Sequence, residues 1–273
     1  MRLGGLLSAP LAWLLVAYLG SLAVLLVSAF WSTDVFTGEI VHSFTTDNFR
    51  TLVTTQVYRD VALRTVVVAA LVTLLCATIG FPIAFFMAKV ASRRWQRILV
   101  VAILTPLWAS YLVKAFAWRV MLLNGGVVDW LGKPIGVHTP GFGLPAVVIV
   151  LAYLWLPYMI LPIYAGLERL PDSLVEASAD LGGRSGRTFR SVILPLAWPA
   201  VVAGSVFTFS LSLGDYITVQ IVGGKQQMIG NLIYTNIGAA NNLPVAAALA
   251  TIPVVVMIGY LLAVRRTGAL ESL

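Results

Sequence analysis

Residues 176–195 read EASADLGGRSGRTFRSVILP, and no other stretch of the chain says more about its fold. The stretch is polar and carries arginines, yet it lies between two long apolar runs. A charged loop of this size in a mostly apolar chain indicates a surface that contacts another molecule. What surrounds the loop decides which kind of protein carries it.

The composition is that of a membrane protein. Of the 273 residues, 59% are hydrophobic and only 11% are charged, whereas soluble domains are about 25% charged. The mean hydropathy is +0.93. The formal net charge of +7 is spread over short loops and not gathered on one soluble face, so we expect no nucleic-acid binding. The single cysteine, Cys76, lies in an apolar run, where we expect it to pack as a small apolar residue.

Six apolar stretches are long enough to cross a bilayer, which takes about 20 residues of helix. They cover residues 10–31, 61–88, 98–118, 144–167, 197–217 and 243–264. The first is too long for a signal peptide and is expected to be retained. The runs are continuous and do not alternate, which favours helices over barrel strands. The sequence predicts an all-α membrane protein with six transmembrane helices in one domain, residues 1–273.

The basic residues predict the orientation of these helices. Eleven of the 18 lysines and arginines fall in the loops after the second and fourth stretches and near the two ends of the chain. Short loops rich in lysine and arginine stay in the cytoplasm. We therefore expect both termini and the 176–195 stretch to be cytoplasmic, with outer connections at about 32–60, 119–143 and 218–242.

The local sequence around this stretch, about 168–196, predicts two short helices joined at a glycine corner. Ser173 and Glu176 have the spacing of a capping box at the start of the first helix. Gly182-Gly183 is expected to end that helix. A second short helix is expected over residues 188–194. One face of the first helix carries a small apolar stripe at helical spacing: Leu174, Ala177, Ser178 and Leu181.

The spacing of the stretch resembles the EAA loop of ABC importer permeases. In that loop Glu-Ala-Ala is followed after three residues by Gly, and after nine more by a hydrophobic residue, any residue and Leu-Pro. Here the pattern reads Glu176-Ala177-Ser178, Gly182, Val192 and Leu194-Pro195. Ser178 and Val192 are mild departures from alanine and isoleucine.

This resemblance implies the fold of a binding-protein-dependent importer permease in the bacterial inner membrane. The chain would be a transport subunit and not an enzyme, without a cofactor or a metal of its own. Its partners would be a second homologous permease, two ATP-binding subunits, an extracytoplasmic solute-binding protein and the lipid bilayer. The residues implied in coupling to an ATP-binding subunit are Glu176, Ala177, Ser178, Asp180, Leu181 and Gly182.

A second resemblance concerns the cargo. Residues 212–233, 106–118 and 47–49 are similar to the first membrane subunit of spermidine/putrescine-type permeases. An acid and several aromatic rings near the outer ends of spans are groups that can receive an organic cation. The candidate residues of the substrate path are Trp108, Ser110, Tyr111, Trp118, Ser212, Asp215 and Tyr216.

Other interpretations of the same residues stay open at this point. Trp108, Tyr111 and Trp118 suit the aromatic belt at a membrane interface. Asp215 suits an ion pair with Lys114 or Arg119, or the cap of a re-entrant segment, and Ser212 suits a bond to its own helix. At the level of function, the alternatives are an ATP-independent secondary transporter, an importer of the same type with a non-polyamine cargo, and an intramembrane enzyme.

Overall fold

The chain folds almost entirely into helices. The computed structural model describes residue 8 and residues 10–34, 36–136 and 138–265. The helices are α1 (Pro10–Ser28), α2 (Asp47–Thr54), α3 (Gln56–Val90), α4 (Arg93–Trp108), α5 (Tyr111–Met121), α6 (Val127–Gly132), α7 (Leu144–Glu168), α8 (Asp172–Asp180), α9 (Ser185–Leu213), α10 (Ile217–Val222), α11 (Ile229–Ile237) and α12 (Leu243–Arg265). Strands β1 (Ser32–Thr33) and β2 (Ile40–Val41) form an antiparallel hairpin.

Five of the described helices, α1, α3, α7, α9 and α12, are long and apolar enough to cross a membrane by themselves. The predicted third span, 98–118, is not one straight helix. It divides into α4 and α5, which meet at an angle of 94°. Ala109 and Ser110 are extended at the break, with ψ near 140°. Pro106 lies in the last turn of α4 and lacks the N–H that would continue the helical hydrogen bonds. Counting the bent pair as one span gives six.

Two compact units can be recognised in the described residues. The first contains the chain up to Leu63 together with Met228–Val255. Its core gathers Ala29, Leu52 and the alanine-rich start of α12, Ala247–Leu249. The Asn48 side chain donates hydrogen bonds to the carbonyls of Ala29 and Trp31 at 2.9 and 2.8 Å, which ties α2 to the end of α1.

The second unit contains Arg64–Gln227 and the residues from Val256 onward. Helix α7 lies at its centre, with eleven buried residues. Two glycines let α7 and α9 approach closely: a Cβ on Gly166 would lie 2.4 Å from the Ala200 Cβ, and one on Gly204 would lie 2.8 Å from the Met159 sulfur. Small residues at such contacts are the usual means of packing membrane helices.

The fifth span differs from its prediction. The short helix expected over 188–194 is not separate, because α9 runs without interruption from Ser185 to Leu213. A π-helical turn, Phe189–Ile193, comes directly before Pro195. The wider turn accommodates the proline ring and its missing N–H without ending the helix. At the other end α9 stops at Leu213, before the predicted limit of 217.

Candidate functional site

The elbow, residues 172–189, is where α8 turns into α9, and its two arms are α8 and the first residues of α9. Helix α8 ends at Asp180, and Gly182 follows with φ +80°, in the left-handed region that favours glycine. The Gly183 amide donates to the Ser178 carbonyl at 2.8 Å, which closes the turn. The glycine corner predicted from the sequence is therefore present.

The predicted capping box is wrong in its register. Helix α8 begins at Asp172, so Ser173 lies inside its first turn and is not the capping residue. Asp172 itself supplies the acidic side chain of that first turn, where negative charge complements the helix dipole.

The side chains predicted to couple lie mostly on the outside of the elbow. Glu176, Ala177, Asp180 and Gly182 are exposed, and the Leu181 side chain is 90% exposed. Ser178 differs, because its hydroxyl lies 2.9 Å from that of Thr188, which is buried at the start of α9. The apolar stripe is thus open at Leu181, whereas Ser178 joins the two arms of the elbow.

The elbow is attached to the end of α3. The Lys89 ammonium donates to the Leu170 carbonyl and to Asp172 Oδ1, both at 2.7 Å. This ammonium holds the pKa of Asp172 below its usual range. The Phe189 ring makes edge contacts with Phe81 and Phe85, at centroid distances of 5.6 and 5.9 Å. Both arms of the elbow therefore rest on the same helix.

A second cluster lies where two helices break. Asp215 is buried between the end of α9 and the start of α10. Its carboxylate accepts the Tyr111 hydroxyl through Oδ2 and the Thr218 amide at 2.9 Å through Oδ1. The Thr218 hydroxyl lies 2.5 Å from the Tyr111 oxygen. We call Tyr111, Asp215 and Thr218 the acid–tyrosine cluster.

The cluster decides between the interpretations of Asp215 that the sequence left open. A buried carboxylate is costly unless several donors satisfy it, and here the donors come from Tyr111 and Thr218. Arg119 instead donates to the Ile221 carbonyl at 2.5 Å, and neither ion pair found among the described residues includes Asp215. The Asp215 side chain therefore caps α10 by accepting the Thr218 amide, from the position before the N-cap residue Tyr216, and it does not pair with Lys114 or Arg119.

The other predicted path residues differ from one another in exposure and in contacts. Trp108 is 85% exposed beside the break between α4 and α5, and exposed Ser110 follows it. The Trp118 ring lies 5.4 Å from that of Tyr153. Ser212 is buried and its hydroxyl donates to the Thr208 carbonyl of its own helix at 2.7 Å. Tyr216 is the N-cap residue of α10.

Sequence reasoning missed the aromatic residues of α7. The Trp155 ring stacks on Tyr111 and meets Tyr158, both at 5.9 Å between centroids. The indole nitrogen of Trp155 is buried and has no hydrogen-bond acceptor among the described residues. Nothing in the sequence distinguishes these rings, because α7 is a continuous apolar run. Thr218 was missed as well, although its position three residues after Asp215 is a capping spacing.

Comparison with known proteins identifies the family. Residues 80–266 match the family model described as the binding-protein-dependent transport system inner membrane component. The chain belongs to this family. The match includes both the elbow and the acid–tyrosine cluster.

Two curated relatives and one solved structure agree with this assignment. The inner membrane ABC transporter permease protein YdcU of Escherichia coli K12 is 43% identical over 98% of this chain and 90% of its own. The spermidine/putrescine permease PotB of the same strain is 31% identical over 81% of each chain. A bacterial alginate ABC transporter, solved in complex with an alginate pentasaccharide-bound periplasmic protein, has a TM-score of 0.72, with 16% identity over 96% of this chain and 91% of that one.

The chain is thus a permease subunit of an ABC importer in a bacterial inner membrane, and not an enzyme. The predicted fold class and family are confirmed. Membership in the family excludes both the ATP-independent secondary transporter and the intramembrane enzyme. The orientation of the termini, the single-domain division, the coupling residues and the path residues stay predictions.

Proposed function

We propose that this permease moves a polyamine or a related small organic amine inward by alternating access. It would pair with a second homologous permease and two ATP-binding subunits, and it would receive its cargo from an extracytoplasmic solute-binding protein. The family's description as part of a binding-protein-dependent system supports this assembly. The alginate transporter, which binds a solute-loaded periplasmic protein, is a precedent on the same fold.

In this proposal the elbow receives the motion of an ATP-binding subunit. The contact residues are Glu176, Ala177, Asp180, Leu181 and Gly182, with Ser178 holding the two arms together. A leucine that is 90% exposed suits burial in a groove of a partner. A short rigid helix that is held at a fixed corner can transmit a displacement to the membrane spans on either side of it.

The relationship to PotB is the observation that carries the choice of an amine. PotB is named for spermidine and putrescine, and the two chains share 31% identity over 81% of this one. The described acid–tyrosine cluster is compatible with this cargo, because a carboxylate among aromatic rings attracts ammonium groups. In the present structure the Asp215 carboxylate is occupied by Tyr111 and Thr218. A bound ammonium would therefore take over the hydrogen bond of the Tyr111 hydroxyl.

The path in this proposal keeps Trp108, Ser110, Tyr111, Trp118, Asp215 and Tyr216 and adds Trp155 and Tyr158 from α7. Ser212 is left out, because it is buried and its hydroxyl is bonded to its own helix.

A second candidate is an importer of the same type with another small polar cargo. The observation behind it is that YdcU, at 43% identity, is named only as an ABC transporter permease. Lys114, at the start of α5 three residues after Tyr111, also places a positive charge near the proposed path.

Binding by the solute-binding protein that works with this chain separates the two candidates. Calorimetric titrations with putrescine and spermidine are compared with titrations of neutral and acidic solutes of similar size. We expect micromolar or tighter binding of an amine and no binding of the neutral or acidic solutes. Tight binding of a neutral or acidic solute, with no response to amines, would reject the polyamine and leave the importer assignment standing.

A further inference from the structure

Lys89 occupies a junction of three helices. It lies in the π-helical turn Phe86–Val90 at the end of α3, and its side chain is only 14% exposed. Its ammonium reaches the Leu170 carbonyl, just after the end of α7, and Asp172, the first residue of α8, each at 2.7 Å. One buried charge thus joins the ends of two spans to the start of the elbow.

The chemistry of the junction suits an ammonium. The carbonyls at the end of a helix carry partial negative charge, and a cation there is favourable. Lysine offers three donors around one point, so it can serve the carbonyl and the carboxylate at once. Among the described residues it is the only lysine or arginine in an ion pair with a carboxylate, since the second pair involves His138.

We propose that Lys89 is the positioning residue of the coupling elbow, and that its two hydrogen bonds make α8 move together with the ends of α3 and α7. This inference rests on the proposed coupling role of the elbow. A displacement of α8 by an ATP-binding subunit then reaches two spans through Lys89. The contacts of Phe189 with Phe81 and Phe85 hold the other arm of the elbow against the same end of α3.

The test uses the complete transporter in vesicles, with ATP inside and the solute-loaded binding protein outside. Uptake and ATP hydrolysis are measured on the same vesicles, and their ratio reports coupling. The variants are Lys89→Met, which keeps length and removes the charge, Lys89→Arg, which keeps charge and donors, and Asp172→Asn. Arg94→Met is the matched control, because Arg94 is an exposed cation nearby with no carboxylate of the described residues within 4.0 Å.

We expect Lys89→Met to lower the uptake-to-hydrolysis ratio about ten-fold or more, because it removes two charge-assisted hydrogen bonds and the loss of one alone corresponds to about that factor. Lys89→Arg should recover much of the ratio. Asp172→Asn should lower it less, about two- to three-fold, because Asp172 is exposed and the Leu170 bond remains. Arg94→Met should leave the ratio unchanged.

A wild-type ratio in Lys89→Met would overturn the proposal, and so would equal losses of uptake and hydrolysis that follow the amount of assembled complex. If Lys89→Met does not assemble, Asp172→Asn decides: a lowered ratio supports the proposal and an unchanged one rejects it. The docking role of the elbow is tested separately, with the variant Leu181→Asp. If Leu181→Asp still retains the ATP-binding subunit, the elbow is not the docking site.

Discussion

Two adjacent glycines shape the elbow for different reasons. Gly182 has φ +80° and open space around it, so its requirement is conformational. Gly183 lacks space: a Cβ there would lie 2.6 Å from the Ser178 carbonyl oxygen and 2.7 Å from the Ser178 hydroxyl oxygen. These distances are too short for any real contact, so a side chain at 183 must push α8 away from α9.

We predict that Gly183→Ala destabilises the elbow by about 1–3 kcal/mol, the usual cost of overpacking. Thermal unfolding of the purified complex measures the loss. Gly186→Ala is the matched control, because a Cβ at Gly186 meets nothing within 4 Å and the residue is helical. If both variants unfold at the wild-type temperature, the close approach of Gly183 to Ser178 is not a feature of the protein in the membrane.

At this scale the sequence predicts the corner but not its contacts. The position of Gly182 follows from the end of a helical pattern. Ser178 was predicted to share the apolar stripe of the first helix and to couple to a partner, yet its hydroxyl lies 2.9 Å from the Thr188 hydroxyl. Such a pairing depends on the angle between α8 and α9 at the corner. The separation of ten residues between Ser178 and Thr188 in the sequence does not predict that angle.

Among the elements, the breaks between helices hold the polar residues of the predicted path. Tyr111 begins α5 after one break, and Asp215 precedes α10 after another. Their hydrogen bond links α5 to the segment that leads into α10, and the Thr218 amide donates a second hydrogen bond to the Asp215 carboxylate. The two helices are therefore held together by a polar bond in apolar surroundings.

We predict that Tyr111→Phe and Asp215→Asn each lower the free energy of unfolding by about 1–3 kcal/mol, since each leaves a buried partner less well bonded. The double variant should cost little more than either single one, because both remove the same bond. Chemical or thermal unfolding of the three variants gives the coupling energy. Tyr153→Phe is the control, because the Tyr153 side chain is 38% exposed and its hydroxyl makes no hydrogen bond with the part of the chain that the structure describes.

The same variants address the cargo. If Asp215 receives an ammonium group, Asp215→Asn raises the KM for the amine as well as lowering stability. Additive losses of stability with an unchanged KM would mean that Asp215 only caps α10.

Breaks of this kind are hard to predict because a broken span and a continuous span can have the same hydropathy. Residues 98–118 are mostly apolar, with Lys114 as the one charged residue, and Pro106 is one of several prolines in spans that otherwise continue, such as Pro82 in α3. Whether a proline bends, widens or ends a membrane helix depends on the neighbouring helices that satisfy the freed carbonyls. The same reasoning explains why the short helix expected over residues 188–194 is not separate and continues through Pro195 as part of α9.

At the scale of the whole molecule, the fold and the family can be predicted from sequence patterns that do not require side-chain contacts to be known. Apolar length gives the spans, and the spacing from Glu176 to Pro195 gives the family, which the match over residues 80–266 confirms. The cargo does not follow in the same way, because in our proposal it depends on a few aromatic and acidic side chains. Several of these, such as Trp155 and Tyr158, are indistinguishable in sequence from packing residues.

The most direct test of the coupling role is to change Leu181, the most exposed large apolar residue among those described in the elbow. Leu181→Asp places a charge where the structure has a leucine that is 90% exposed, so folding of the chain should be unaffected. Losing this apolar contact with an ATP-binding subunit costs about 1.5–3 kcal/mol. Leu181→Met keeps the apolar surface and is the control.

ATP-driven uptake and co-purification of the ATP-binding subunit are measured on the same preparations. We predict that Leu181→Asp loses both while its unfolding temperature stays that of the wild type, and that Leu181→Met retains both. Normal uptake by Leu181→Asp, with the ATP-binding subunit still bound, would contradict the elbow as the place where the ATP cycle enters the membrane.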